Sequence, residues 1–408
     1  MNDYDIAIVG GGLVGASLAV ALANTPLRVI LIEASVPPAM LPSWDERCIA
    51  LNDATQRIFS DYGIWSALAA DAEPITATHI SEQGRFGTTR FSADEAGLPA
   101  LGYNVPLRAI GTALMNTLGT LPNVRRLCPG RVTGIATDAR RAQLTVEIDG
   151  ATQVITAGLV AAADGAQSAL RGLLGISAEV RDYAQHAIVS AVQLSRPHQG
   201  VAYERFTPDG PLALIPKPGN SASLVWTTPA AAVETRLAWS DAEYLAAAQS
   251  SFGGRLGRFT ALGARRAYPL ARVMSEQLTA PRTVLIGNAA QSLHPVAAQG
   301  FNLGLRDVAA LAEALTGGAD PGAAAVLDRY EAARQRDRSR VGNLTDTMVR
   351  TFSNRIPGLT QLRHLGLIAV DLLPPLRAAV LRQHLGHLGL PSRLRQTQLA
   401  PAVVEVEE

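Results

Sequence analysis

The sequence predicts an α/β protein organised around a parallel sheet, and three short segments carry that expectation. Residues 5–9, 158–163 and 283–286 are almost wholly apolar runs of strand length. Each runs into a turn containing glycine and then into a stretch with helical spacing. Strands apolar on both faces belong between two helical layers, which is the environment of a parallel sheet. Partly alternating or β-rich runs at 75–83, 186–195 and 222–228 predict a second, mixed sheet.

The first unit is a strand at 5–9, a turn, and an Ala-, Leu- and Val-rich helix at 13–23. The turn reads Gly10-Gly11-Gly12-Leu13-Val14-Gly15, a G-x-G-x-x-G in strand-turn-helix context. Gly10 permits the tight turn, Gly12 carries no Cβ to block a pyrophosphate, and Gly15 lets helix and strand approach. The N–H groups of Leu13 and Val14 would face that phosphate from the positive end of the helix dipole. A strand at 28–32 ends in Glu33, 23 residues after Gly10, where an acid reaches the hydroxyls of a ribose. An acid there favours FAD or NAD over a 2′-phosphorylated nucleotide, and the fingerprint does not choose between those two. Residues 6–27 carry no charge and could span a bilayer by length. Acidic flanks at Asp3 and Asp5 and the early glycines favour the strand-turn-helix reading.

The second unit ends in Asp164-Gly165, with helical spacing over 168–174. The acid at the strand's carboxyl end is expected to point into the crevice where ligands of parallel sheets lie. The third runs into Gly287-Asn288-Ala289-Ala290-Gln291-Ser292-Leu293-His294-Pro295, and Gln299-Gly300-Phe301-Asn302 then leads into a helix expected over 303–315. Between these units, Ser240 is the expected N-cap of a helix over 241–252, and turns at 208–211 and 217–220 flank a Leu-Ala-Leu-Ile strand.

In their order, these three glycine signatures resemble the FAD-dependent aromatic hydroxylases that have one flavin domain and no separate nicotinamide domain. Trp44-Asp45-Glu46-Arg47, Tyr203-Glu204-Arg205-Phe206-Thr207 and residues 210–216 narrow the likeness to the ubiquinone-pathway branch. The resemblance implies a Rossmann-like FAD-binding domain in three pieces, 1–72, 102–178 and 280–350. A mixed-sheet substrate domain at 73–101 and 179–279, a helical segment at 351–400 and a disordered tail at 401–408 complete the chain. It implies cofactor contacts from Gly10, Gly12, Leu13, Val14, Gly15, Glu33, Arg47, Arg108, Val132, Asp164, Gly165, Gly287, Asn288, Pro295, Gly300, Phe301 and Asn302. Arg47 would be a mobile cationic contact to the cofactor, the alternative being an ion pair with Asp45 or Glu46. Two positions depart from the general family pattern: its acid is Asn288 and its histidine is Gln291. Asn retains both donor and acceptor, so binding is expected to survive.

The implied chemistry is reduction of FAD by NAD(P)H, capture of O2 as a C4a-hydroperoxyflavin, and oxygen transfer to a polyprenylated (methoxy)phenol. The residues around Pro295, Gln299, Gly300 and Phe301 form the expected flavin environment, and Tyr203 and Tyr268 are the expected phenol contacts. No general base is evident. A sister hydroxylase acting at another ring position, or a FAD-containing assembly subunit that recruits other ubiquinone-biosynthesis proteins, are the competing readings.

Composition limits the remaining classes. The 408 residues carry 36 basic and 35 acidic side chains, for a net charge of +1, with one lysine, Lys217. That balance supplies no field for nucleic acid. Cys48 and Cys128 are far apart and no histidine set has metal spacing, so neither a disulfide framework nor a metal site is expected, and a cytoplasmic setting fits. No G-x-S-x-G nucleophile elbow occurs. Leu359, Leu362, Leu365, Ile368 and Leu372 recur at helical spacing. This stripe either packs on the protein's own core or meets the inner membrane peripherally, where a polyprenyl phenol resides.

Overall fold

The computed structural model describes residues 3–36, 47–85, 87–318, 320–352, 366, 369–390 and 394. Residues 44–46, the stripe from Leu359 to Ile368 and the tail at 401–408 lie outside them.

The strands Tyr4–Val9, Val29–Ile32, Val124–Leu127, Ala151–Ala162 and Thr283–Leu285 pair in parallel, with Tyr4–Val9 between Ala151–Ala162 and Val29–Ile32. An antiparallel hairpin, Arg131–Thr137 and Ala142–Ile148, and the short strand Thr279–Ala280 complete an eight-stranded sheet. Ile6, Ala7, Ile8 and Val160 are fully buried, so the apolar runs do what their composition requires. Each large aliphatic side chain so enclosed contributes about 1.5–3 kcal/mol. The order of pairing brings the carboxyl ends of three sequence-distant strands side by side.

The second sheet has nine strands, mostly antiparallel, among them Ala178–Leu194, Val201–Thr207, Gly210–Lys217, Ser221–Pro229 and Arg266–Ser275. One of its faces buries Ile188, Leu212, Leu214, Leu224 and Trp226 together with Tyr244, Ala248 and Phe252 of the helix Asp241–Phe252. Ser240 caps that helix in a reciprocal capping box with Glu243, as expected. A small antiparallel sheet, Cys48–Asn52, Gly102–Pro106 and Glu73–Ile75, forms a third element. Farther along the chain, the helix Pro374–His384 packs through Leu381 against a cluster that includes Phe91 and Leu101, and Leu385, just past its end, joins it there.

Candidate functional site

The three glycine signatures meet at one turn. A Cβ at Gly10 would stand 2.4 Å from the Ala163 carbonyl oxygen and 2.9 Å from Asp164 Cα, and one at Gly15 would stand 1.9 Å from the Gly10 carbonyl oxygen. A Cβ at Gly287 or at Gly304 would come within 3.0 Å of the Val14 side chain. Gly10 and Gly287 also have positive φ, +105° and +57°, where a side chain is strained. Gly12 differs in kind: it is exposed, and a Cβ there would meet nothing within 4 Å. It is the N-cap of the helix Leu13–Ala21 and offers no side-chain cap, so the first-turn N–H groups open onto free space. That arrangement is a ready anion site. Glu33 stands beside it, with Oε2 accepting from Gly11 N at 2.6 Å and Oε1 from Ser35 N at 2.8 Å.

Asp164 is oriented differently from the expectation. Its Oδ1 accepts from Ser168 Oγ at 2.5 Å and its Oδ2 from Leu170 N at 3.0 Å. The carboxylate is turned onto the start of the helix Ala169–Leu173, whose unpaired N–H groups attract it more strongly than open solvent does.

The helix expected over 303–315 starts four residues earlier, as Gln299–Ala314. Ala298, its N-cap, adopts the left-handed conformation (φ +50°, ψ +39°) and supplies no side-chain cap. Such backbone in a non-glycine residue persists only when its surroundings impose it. Asn302 supplies that constraint: Nδ2 donates to Ala298 O at 2.6 Å and to Ala50 O at 2.9 Å, while Oδ1 accepts from Asn52 N at 3.0 Å. Gly300, Phe301 and Asn302 therefore lie in the first helical turn, where N–H groups have no intrahelical acceptor. The Asn302 side chain binds the strand Cys48–Asn52; the Phe301 ring packs on the core beside Phe59 at 6.2 Å.

In front of this helix start is a cavity of about 490 Å³. Its walls come from the strand Cys48–Asn52, the segment Ser292–Val296, the helix start and one face of the nine-stranded sheet. Strand register explains that face. Glu204 is opposite Ala213, which is opposite Val225, which is opposite Val189, and all four line the cavity together with Ala202 and Thr227. Tyr203 falls on the other face, against His79 and Phe252, both at 5.4 Å. Tyr268 lines the cavity, and the Arg47 guanidinium lies 5.6 Å from its ring centroid. His294 is buried, and its Nδ1 accepts from Val296 N at 3.2 Å, which fixes the proton on Nε2. Burial pushes its pKa down to about 4, so the ring is neutral near pH 7.

Behind the late glycine turn lies a buried ionic network. Asp307 Oδ2 accepts from Gly287 N at 2.9 Å and from Gln291 Nε2 at 2.6 Å, while Oδ1 accepts from Arg334 Nε at 2.7 Å. Arg334 also donates to Asp337, which pairs with Arg306 at 3.3 Å. All four charged side chains are at least nine-tenths buried. The departure at Gln291 thus has a structural role, as a donor to Asp307.

Of the expected site residues, Arg47, Asn288, Pro295, Gln299, Gly300, Phe301, Asn302 and Tyr268 line the cavity, whereas the ring of Tyr203, expected to contact the phenol, is turned to the opposite face of the sheet. Gly10, Gly12, Leu13, Val14, Gly15, Glu33 and Gly287 form the adjoining turn, with Asp164-Gly165 against it. Arg108 is exposed and pairs with Asp71 at 3.8 Å, and Val132 is half-buried on the core; neither lines the cavity. Sequence reasoning missed Glu204, His294 and the Asp307 network.

A family model described as an FAD binding domain matches residues 3–344. The ubiquinone hydroxylase UbiL of Rhodospirillum rubrum is 39% identical over 398 residues, covering 96% of this chain and 92% of that protein. The 3-demethoxyubiquinol 3-hydroxylase of Escherichia coli is 36% identical over 389 residues, covering 94% and 98%. Among solved structures, p-nitrophenol 4-monooxygenase PnpA of Pseudomonas putida superimposes with a TM-score of 0.76 at 18% identity, covering 98% of this chain and all of that one.

Proposed function

The chain belongs to the FAD-binding-domain family of flavin monooxygenases, and on that premise we propose that it hydroxylates a prenylated methoxyphenol in ubiquinone biosynthesis, using O2 and NAD(P)H. The observation that carries this reading is the apolar cavity between an uncapped helix start and the small-residue face of a sheet. A neutral aromatic ring fits such a predominantly apolar lining.

The residues present fit FAD. Gly12 leaves room for a pyrophosphate on the N–H groups of Leu13 and Val14. Glu33 would exchange its bond with Gly11 N–H for ribose hydroxyls. The first-turn N–H groups at Gly300, Phe301 and Asn302 would stabilise negative charge at the flavin edge, with Asn288 and Pro295 beside them. Bound FAD supplies the redox chemistry and the activation of oxygen. The protein's own tasks are to orient the phenol, to exclude water through the apolar wall, and to move one proton. Neutral His294 and the Arg47–Tyr268 pair border the same space.

The prenyl chain calls for an apolar approach. Leu372, Leu373 and Leu376 are 72%, 52% and 39% exposed around the start of the helix Pro374–His384, whose His384 lines the cavity. An exposed leucine cluster at the far end of the helix that brings His384 to the cavity supports peripheral membrane contact at this helix. Among the described residues no helix is long and apolar enough to cross a membrane.

The direct test is product analysis. FAD-loaded protein given NAD(P)H, labelled O2 and a prenylated methoxyphenol should yield a catechol-type product carrying one labelled oxygen atom. Reductant oxidation that no phenol accelerates, with no labelled product, would remove this reading.

A further inference from the structure

The sheet face that closes the cavity bears one carboxyl group. Along the register row Glu204, Ala213, Val225, Val189, only Glu204 is ionisable. Alternation about Tyr203, whose ring packs on the opposite face, aims the Glu204 side chain into the cavity. No hydrogen-bond or ion-pair partner meets it among the described residues. Glu204 is half-buried, and a carboxylate drawn partly out of water is ordinarily paired, because an isolated one is costly to desolvate. One that faces a substrate cavity without a partner is a group waiting for a donor.

Resting on the hydroxylase reading, we propose that Glu204 accepts the proton of the substrate's phenolic hydroxyl. The phenol O–H bond breaks, its electron pair stays on oxygen, and the new O–H bond forms on the Glu204 carboxylate. The phenolate then pushes electron density onto its ortho and para carbons, where oxygen is accepted. O2 is the oxidant and NAD(P)H the reductant; one oxygen atom enters the ring and the other leaves as water. After transfer, the ring carbon loses its hydrogen as a proton, aromaticity returns, and Glu204 gives its proton back to the phenolic oxygen.

The surroundings suit the task. Enclosure by protein pushes the carboxyl up to about 7, within the range where a group both holds and releases a proton near neutral pH. The other titratable groups facing the cavity are Arg47 and Cys48 at the strand Cys48–Asn52, Tyr268 on the strand Arg266–Ser275, His294 before the helix start, and His384 at the end of Pro374–His384. The immediate strand neighbours, Ala213 and Ile80, bring no charge. His294 and His384 are both shifted toward the neutral form by burial.

The test uses FAD-loaded protein, a 6-prenyl-2-methoxyphenol and its O-methyl ether, with binding read from flavin absorbance and no reductant added. In the wild type, phenol affinity should rise about tenfold as the pH passes through 7, because an ionised acceptor gains a charge-assisted hydrogen bond. The ether, which has no proton to give, should show no rise. Glu204→Gln should abolish the rise and Glu204→Asp should retain it, both with unchanged FAD content. In turnover, Glu204→Gln should slow hydroxylation by about 10²–10⁴-fold while reductant oxidation continues. A Glu204→Gln protein with the wild-type pH dependence of binding and a hydroxylation rate within about threefold overturns the role of Glu204 and leaves the hydroxylase reading standing. A wild-type protein that neither binds nor hydroxylates the phenol overturns the hydroxylase reading, and this role with it.

Discussion

Gly12 and Gly15 belong to one fingerprint yet should fail in opposite ways, and the structure supplies the magnitudes. At Gly12, φ is −65° and a Cβ meets nothing within 4 Å, so Gly12→Val costs the free polypeptide only the difference between a good and a poor N-cap, about 1 kcal/mol. The branched side chain would occupy the space in front of the first-turn N–H groups. Losing two charge-assisted hydrogen bonds to a phosphate, at about 1.5–3 kcal/mol each, weakens FAD binding by about 10²–10⁴-fold. At Gly15 a Cβ would stand 1.9 Å from the Gly10 carbonyl oxygen. Helix and strand must separate, so Gly15→Ala should cost about 3 kcal/mol or more in the protein without cofactor. The assay pairs flavin content of the purified variants, read from absorbance, with denaturant unfolding of cofactor-free protein. Gly12→Val should be colourless and nearly as stable as wild type, and Gly15→Ala should be destabilised before cofactor is considered. Stoichiometric FAD on the Gly12→Val protein would refute the placement of the phosphate.

Three further outcomes follow from the same geometry. Asp307→Asn should destabilise the protein by about 3–5 kcal/mol in denaturant unfolding, because it leaves Asp337 as the one buried carboxylate for both Arg306 and Arg334 and weakens the anchor of Gly287 N–H; a change near zero would mean that water reaches this network. His294, held near 4 against an ordinary 6.5, is neutral in the folded state where the unfolded chain is protonated, so stability is present above 6.5 and lost as the pH falls toward 4. His294→Leu should remove about 3 kcal/mol of that acid-side loss, visible as a flatter curve of unfolding free energy between these values. Replacing Leu372, Leu373 and Leu376 with serine should impair turnover of long-chain prenyl phenols in vesicles while sparing short-chain ones in solution. These substitutions are a cleaner probe than truncation near residue 356, because Leu385 O accepts from Ala54 N and Gly386 O accepts from Arg306, so the carboxyl-terminal segment also holds the core. Equal loss for both substrates would assign the leucines to folding.

What the sequence revealed and what it concealed divide along a physical line. The parallel strands and the turn at Gly10–Gly15 were legible because their determinants are local: apolar runs of strand length and glycines at fixed spacing. The start of the helix Gln299–Ala314 was misplaced by four residues, because its first turn is set by Asn302 reaching Ala50 and Asn52, some 250 residues away. The Asp307–Arg334 pair was hidden for a related reason. Arg334 lies on the long helix Ala324–Phe352, rich in arginine and acid, where a charge reads as a solvent face until the neighbouring helix is known to bury it. Glu204 is the instructive case, since a signal for it was present. Around the cavity, strands 201–207, 210–217 and 221–229 alternate less between apolar and polar than between large and small: Tyr203, Leu212, Leu214, Leu224 and Trp226 on one face, Ala202, Ala213 and Val225 on the other, with Ile215 the larger exception. Large side chains fill the space beneath a packed helix, and small ones leave a void. A sheet face that is apolar yet small is therefore the wall of a cavity, and a carboxylate in register with it must face whatever the cavity receives.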